Sequence, residues 1–113
     1  MKKIAFIFSL FIITLVVSCG KDPVEPNNNC ATPKSYSADV SPIIQSSCAI
    51  NAGCHANGST NGPGALVLYA DVYTARTQIR TAVANGTMPK NSSLTNEQKN
   101  AIICWIDSGA PNN

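Results

Sequence analysis

The residues able to do chemistry in this chain are few and sit close together. His55 is the only histidine; it directly follows Cys54, and Cys48 stands upstream in Cys48-Ala49-Ile50-Asn51-Ala52-Gly53-Cys54-His55. Met88, in Thr87-Met88-Pro89, is the only methionine besides Met1. Imidazole nitrogen and thioether sulfur both ligate transition metals, the thioether as a soft donor. Thiols beside a ligating imidazole can also hold a prosthetic group by covalent bonds. Each group has a plainer use as well: a loop histidine needs no metal, methionine fills core gaps, and exported thiols pair as disulfides.

Something must position these groups, and the pattern predicts three helical segments and no paired strands. The first is expected to begin near Asp39 or Ser41, either of which suits an N-cap, with Pro42 tolerated in the first turn. It continues through Ile43 and Ile44 towards Cys48. The second is expected from Asp71 to about Ala84, with Val72, Ile79 and Val83 on one face and Asn85-Gly86 as the stop. The third opens at Thr95, with Gln98 placed to complete a capping box. Ile102, Trp105 and Ile106 form its apolar stripe, and Ser108-Gly109 ends it. Leu66-Val67-Leu68-Tyr69 is too short and isolated to argue for a strand, and no internal repeat is present. The fold class is all-α.

At 113 residues the chain has room for one domain. Residues 1–18 are set apart from it: Lys2 and Lys3 precede an apolar run from Ile4 to Val17, which is shorter than the about 20 residues of a membrane span. The formal net charge of +2 comes from those two lysines, so the remainder is balanced. No basic patch of the kind nucleic-acid binding needs is present. A core this small gains from a covalent staple or a bound cofactor.

Leu15-Val16-Val17-Ser18-Cys19 resembles the lipobox of bacterial lipoproteins. The resemblance implies export, cleavage before Cys19, and lipid on Cys19 as the membrane anchor; an ordinary signal peptide with an incidental cysteine is the alternative. Residues 19–37 then read as a flexible tether, polar and rich in proline and asparagine, and residues 38–113 as the domain. The polar, acidic stretch behind Cys19 resembles surface-export signals of some Bacteroidota lipoproteins. The expected location is therefore the bacterial envelope, at the outer membrane, on its periplasmic face or the cell surface.

Within the domain, Cys48…Cys54-His55 resembles the C-x-x-C-H attachment site of class I c-type cytochromes, with five residues between the cysteines in place of two. Gly62-Pro63-Gly64-Ala65-Leu66 resembles the family's Gly-Pro-x-Leu segment with one extra residue. Met88-Pro89 and the Trp105 helix follow in the family's order, so the resemblance spans about Asp39 to Pro111. It implies one covalent haem c per chain, with thioethers from Cys48 and Cys54. His55 and Met88 would be the axial ligands, and a carbonyl near Pro63 would hold the other ring nitrogen of His55. Trp105 would pack the core and cover the haem edge. Arg76, Arg80, Tyr69 and Tyr73 either reach the haem propionates or form a solvated helix face.

Besides Cys19 there remain Cys30, Cys48, Cys54 and Cys104, and four cysteines allow three disulfide connectivities. If Cys48 and Cys54 hold haem, Cys30 and Cys104 form a pair. That bridge would close a loop of more than about 70 residues and stabilise by about 4 kcal/mol in the chain-entropy model. The rival is two disulfides without haem. Three function classes follow. The first is a monohaem carrier of single electrons, meeting redox partner proteins of the envelope and not itself an enzyme. The others are a disulfide-stapled structural or adhesion lipoprotein, and a haem sensor or enzyme with an open sixth site. A zinc site on Cys48, Cys54 and His55 has spacings unlike structural zinc motifs.

Overall fold

The computed structural model describes residues 30–113. Residues 1–29, on which the expected signal segment, the expected lipidation at Cys19 and the first part of the expected tether fall, lie outside the described residues. Among the described residues the fold is all-α, with helices α1 (Ser41–Ser47), α2 (Tyr69–Ala84) and α3 (Asn96–Asp107) and no strand. None of these helices is long and apolar enough to cross a membrane.

One wide π turn, Tyr36–Val40, runs straight into α1. Its cap is Ser35, not Asp39 or Ser41: Ser35 Oγ accepts from the Ala38 N–H at 3.2 Å, and Asp39 Oδ2 accepts from the Ser35 N–H at 2.8 Å. The N–H groups of Tyr36 and Ser37 donate to Asn113, to its side-chain and main-chain oxygens, each at 2.9 Å. These bonds satisfy donors that a helix start leaves free. The domain thus begins earlier than residue 38. Tyr36 is buried, at 8% exposure, and Cys30 is bonded to Cys104. The polar composition of 19–37 hid this, because one buried aromatic and one disulfide fix a segment whatever its neighbours' polarity.

Helix α2 starts two residues before the expected Asp71. The Asp71 carboxylate reaches back to accept from the N–H groups of Val67 and Leu68, at 3.3 and 2.9 Å. A carboxylate in the first turn also complements the positive end of the helix dipole. The predicted stripe of Val72, Ile79 and Val83 is buried, joined by Ala75. Asn85 is the C-cap, and Gly86 at φ +66° takes the left-handed position that ends the helix. The expected capping box opens α3: Thr95 Oγ1 accepts from the Gln98 N–H at 3.2 Å, and Gln98 Oε1 accepts from the Thr95 N–H at 2.9 Å.

Helix α3 packs against both the π turn and α2, so Ala101 to Trp105 are all buried; of the predicted stripe Ile102 and Trp105 lie in this band and Ile106 is half-buried. Trp105 is fully buried, and its indole N–H donates to Pro111 O at 2.9 Å. Its ring lies 5.4 Å from Tyr36 and 6.4 Å from Tyr69, and Tyr36 meets Tyr69 edge-on at 5.0 Å. Such pairs add about 0.5–1.5 kcal/mol each beyond area burial. The Tyr69 hydroxyl donates to Ala110 O at 2.8 Å, so this polar tip is satisfied. The Cys30–Cys104 disulfide spans 74 positions and fastens the incoming chain to α3.

Candidate functional site

Between α1 and α2 the chain from Cys48 to Leu68 follows no regular ladder and is held by individual hydrogen bonds. The End of α1 is marked by the N–H groups of Cys48 and Ala49, both donating to Ile44 O at 2.9 and 2.8 Å. The chain then bulges outward and returns, and the His55 N–H donates to Cys48 O at 3.0 Å. Asn51 is the pivot of the bulge. Its main-chain oxygen accepts from the N–H groups of Cys54 and Ala56, each at 3.0 Å, and its Oδ1 accepts from Cys54 N–H at 3.1 Å. From outside, Asn61 Nδ2 donates to Gly53 O at 2.8 Å and Ser59 Oγ donates to Cys54 O. The five extra-wide residues therefore do not separate Cys48 from His55; the main chains of the two meet.

The return strand of this loop fixes the imidazole. His55 Nδ1 lies 2.9 Å from Gly64 O. A carbonyl oxygen only accepts, so Nδ1 carries the proton and Nε2 of the neutral ring keeps its lone pair. Gly64 sits at φ +89°, a conformation that side-chain-bearing residues rarely adopt. Gly62 passes so close that a Cβ there would lie 3.6 Å from His55 Cε1. The acceptor was expected at or just before Pro63; the extra residue of this segment moves it to Gly64. The Leu66 N–H donates to His55 O at 2.8 Å, and Gln45 Nε2 reaches Leu66 O and Val67 O, each at 3.3 Å. These bonds hold the loop on α1.

His55, Met88 and Cys48 line one cavity together with Ile44, Pro63, Leu66, Gln78, Ile79, Ala82 and Val83. Its volume is about 110 Å³, roughly ten times what a single water needs on the same measure. The wall opposite the loop comes from α2, where Gln78 and Ala82 recur one helical turn apart, as do Ile79 and Val83. Met88 is carried by the turn after α2, where the N–H groups of Thr87 and Met88 donate to Ala82 O at 3.0 and 3.4 Å. His55 is buried, at 8% exposure, whereas Met88 is half-buried.

Cys48 and Cys54 are both free thiols and both half-buried. Burial pushes the Cys48 thiol up to about 11, with Cys54 nearby adding to the effect. At neutral pH Cys48 is therefore a thiol and not a thiolate. Cys54 does not line the cavity, though His55 beside it does. Chemically the arrangement offers an imidazole nitrogen and a thioether sulfur on apolar walls, with two thiols at hand for covalent attachment. Among the described residues no group of three or more His, Cys, Asp or Glu side chains is placed to hold a metal ion.

Other residues singled out in the sequence point elsewhere. Trp105 does not line the cavity; it belongs to the aromatic core. Arg80 makes a two-pronged ion pair with Asp107, through Nε at 2.6 Å and Nη2 at 2.9 Å. The Arg76 guanidinium lies 4.0 Å above the Tyr73 ring, and Tyr69 is bonded to Ala110. These four form a helix face away from the cavity lining. Sequence reasoning missed Asn51, Ser59, Asn61 and Gln45, which shape the loop, and Gln78, a polar group in the cavity wall. The signal for Asn51 was available, since asparagine side chains bond their own backbone two or three residues on. Nothing in the sequence marks Gln45 or Gln78.

No protein-family model, no curated protein and no solved structure matches this chain. A functional reading therefore rests on the residues and their arrangement.

Proposed function

We propose that the chain is a lipid-anchored monohaem c-type cytochrome that carries single electrons in the bacterial envelope. The observation that carries this reading is the His55 ring, bonded through Nδ1 to Gly64 O while facing the cavity that Met88 and Cys48 also line. The residues fit the group in three respects. The tautomer fixed at Nδ1 leaves Nε2 for iron, and the carbonyl bond raises the basicity of the ring. The aliphatic side chains of Ile44, Leu66, Ile79 and Val83 suit the faces of a flat apolar macrocycle. The Cys48 O to His55 N–H bond keeps the two ends of the attachment segment together in spite of its length.

A haem bound there supplies reversible one-electron exchange at its iron. His55 orients and ligates from one wall. Met88 offers a soft thioether that favours the reduced state and raises the potential. Cys48, in the cavity wall, and Cys54, just outside it, would tie the group in place and prevent its loss outside the cytoplasm, and the apolar walls would limit the access of water. No acid–base pair lines the cavity, which suits a carrier meeting redox partner proteins better than an enzyme. The anchor would be lipid on Cys19.

The test is expression with the native export signal in a host equipped for cytochrome c maturation, followed by visible spectra and denaturing mass. A Soret band, sharp reduced α and β bands, and haem mass retained after denaturation are expected. Cys48→Ala should then lose one thioether and keep the other. A colourless protein overturns the reading and leaves a cofactor-free stapled lipoprotein, with Cys48 and Cys54 free or paired. Tight carbon monoxide binding by the reduced native protein would instead give the open-site sensor or enzyme, whereas only Met88→Ala should bind it on the present reading.

A further inference from the structure

Glycine follows asparagine at three places: Asn57-Gly58, Asn61-Gly62 and Asn85-Gly86. Such a pair is chemically weak, because glycine has no Cβ to hinder attack by its own main-chain nitrogen on the preceding side-chain amide. All three asparagines are exposed, yet the fold holds them differently. Asn85 is the C-cap of α2, and the Gly86 N–H, whose nitrogen would attack, donates to Val83 O at 3.2 Å. At Asn61 the amide nitrogen, which would have to leave, donates to Gly53 O at 2.8 Å. Asn57 has neither restraint: among the described residues neither its side-chain amide nor the Gly58 N–H has a hydrogen-bond partner. The two residues form the tip of a turn in which the Ser59 N–H donates to Ala56 O at 3.0 Å and Gly58 stands at φ +82°. A Cβ at Gly58 would meet nothing within 4 Å, so the tip is open to water.

We propose that Asn57 is a modification site at which the folded chain converts itself, in water, to aspartate and isoaspartate, while Asn61 and Asn85 are spared. The Gly58 nitrogen attacks Asn57 Cγ. The new C–N bond closes a cyclic imide, the Cγ–Nδ2 bond breaks, and ammonia leaves with the proton that the Gly58 nitrogen gives up. Water then opens the imide. Cleavage at Cγ gives aspartate; cleavage at the main-chain carbonyl gives isoaspartate, in which the chain runs through the former side chain. No electrons are transferred, and water is the only co-reactant. The rate rises with pH, because the attacking nitrogen must lose its proton. The place of the product gives it consequence. From Val40 to Ala70 the chain contains no Asp, Glu, Lys or Arg, so the new carboxylate is the first acid in this stretch. It arises two residues from His55, in the turn that carries Ser59, whose hydroxyl donates to Cys54 O. Isoaspartate adds a methylene to the main chain inside that turn and draws Ser59 out of register with Cys54. The loop that holds Cys54 and His55 thus carries a chemical clock, which runs with or without haem.

The experiment ages the full chain at neutral and mildly alkaline pH, both folded and unfolded in guanidinium with its disulfide reduced. Each Asn-Gly peptide is then followed by mass spectrometry with fragmentation that separates aspartate from isoaspartate. In the folded chain Asn57 is expected to convert at least about tenfold faster than Asn61 and Asn85, since those two react only when their bonds open locally. In guanidinium the three should convert at rates within about threefold of one another, because no fold distinguishes them. Asn57→Gln, which would need a larger ring, should abolish the acidic species that ion exchange resolves from the aged folded chain. Two results overturn the inference: Asn61 or Asn85 converting as fast as Asn57 in the folded chain, or Asn57 staying intact there while it converts in guanidinium. The visible spectrum of the same samples reports on haem separately, so a colourless chain that converts at Asn57 ends the electron-carrier reading and keeps the modification site.

Discussion

The two sides of the helical body are filled in opposite ways. Around Trp105 the space is closed: Tyr36, Tyr69, Ile102, Ile103 and Val72 pack with the indole, its N–H is bonded, and a disulfide fastens the edge. Around His55 the walls are equally apolar, yet a cavity of about 110 Å³ separates them. The first side is held by side-chain packing between helices. The second is held on its loop face by main-chain hydrogen bonds, with Asn61, Ser59 and Gln45 donating to carbonyls and Asn51 Oδ1 accepting from the Cys54 N–H. The difference teaches how a small domain keeps a cavity open. The stability of the fold is concentrated on one side, and the loop on the other is rigidified by polar bonds that do not require the space to be filled.

The strongest way to break this contrast is to open the closed side. Replacing both Cys30 and Cys104 by alanine should cost about 4 kcal/mol, read as a fall in the denaturation midpoint, because the bridge restrains a long loop in the unfolded chain. On the proposed haem reading, the visible spectrum of the folded fraction should not change. Ile102→Ala, in the filled core, should cost roughly 3 kcal/mol by urea melts. Ile79→Ala should cost roughly 2 kcal/mol, since that side chain already borders a cavity and leaves fewer contacts behind. Equal losses at the two isoleucines would mean that the two sides are packed alike.

A smaller effect sharpens the loop side. Gly64→Ala forces a side chain into the left-handed region, at about 1 kcal/mol, and disturbs the carbonyl that holds His55 Nδ1. Nuclear magnetic resonance of the imidazole should then show the tautomer no longer fixed. The smallest effect is that of Arg80 and Asp107. The Arg80 guanidinium holds the Asp107 carboxyl below its ordinary value. A lowered folded-state value means that the stabilisation is complete above the unfolded value near 3.8 and is lost as pH falls through the folded one. Both side chains are about 40% exposed, so solvent screening limits the whole effect to about 0.5 kcal/mol. Comparing acid melts of native protein and Asp107→Asn measures it.

The helices were legible because their signals are periodic or local. Thr95 and Gln98 announce a capping box by type and spacing, and Val72, Ile79 and Val83 announce a face. Of the motif residues, Cys48, His55, Pro63 and Met88 line one cavity, whereas Cys54 does not. The π turn at Tyr36 was hidden because its restraints come from Asn113 and Trp105, far along the chain. The start of α2 at Tyr69 was hidden because Asp71 caps from inside the helix. The closure of the wide Cys48 to Cys54 spacing depends on one asparagine folding five residues back, and neither periodicity nor composition reports that.

The disulfide has a mechanical side. On the proposed lipid anchor, any pull transmitted from the membrane enters the described domain at Cys30. From there it passes through a covalent bond into the buried band of α3, at Cys104. The π turn, α1 and the loop with His55 lie beyond that branch, and the disulfide gives the pull a path that bypasses them. A domain tugged by a moving membrane could thus keep its imidazole in register while its outermost segment is stretched taut.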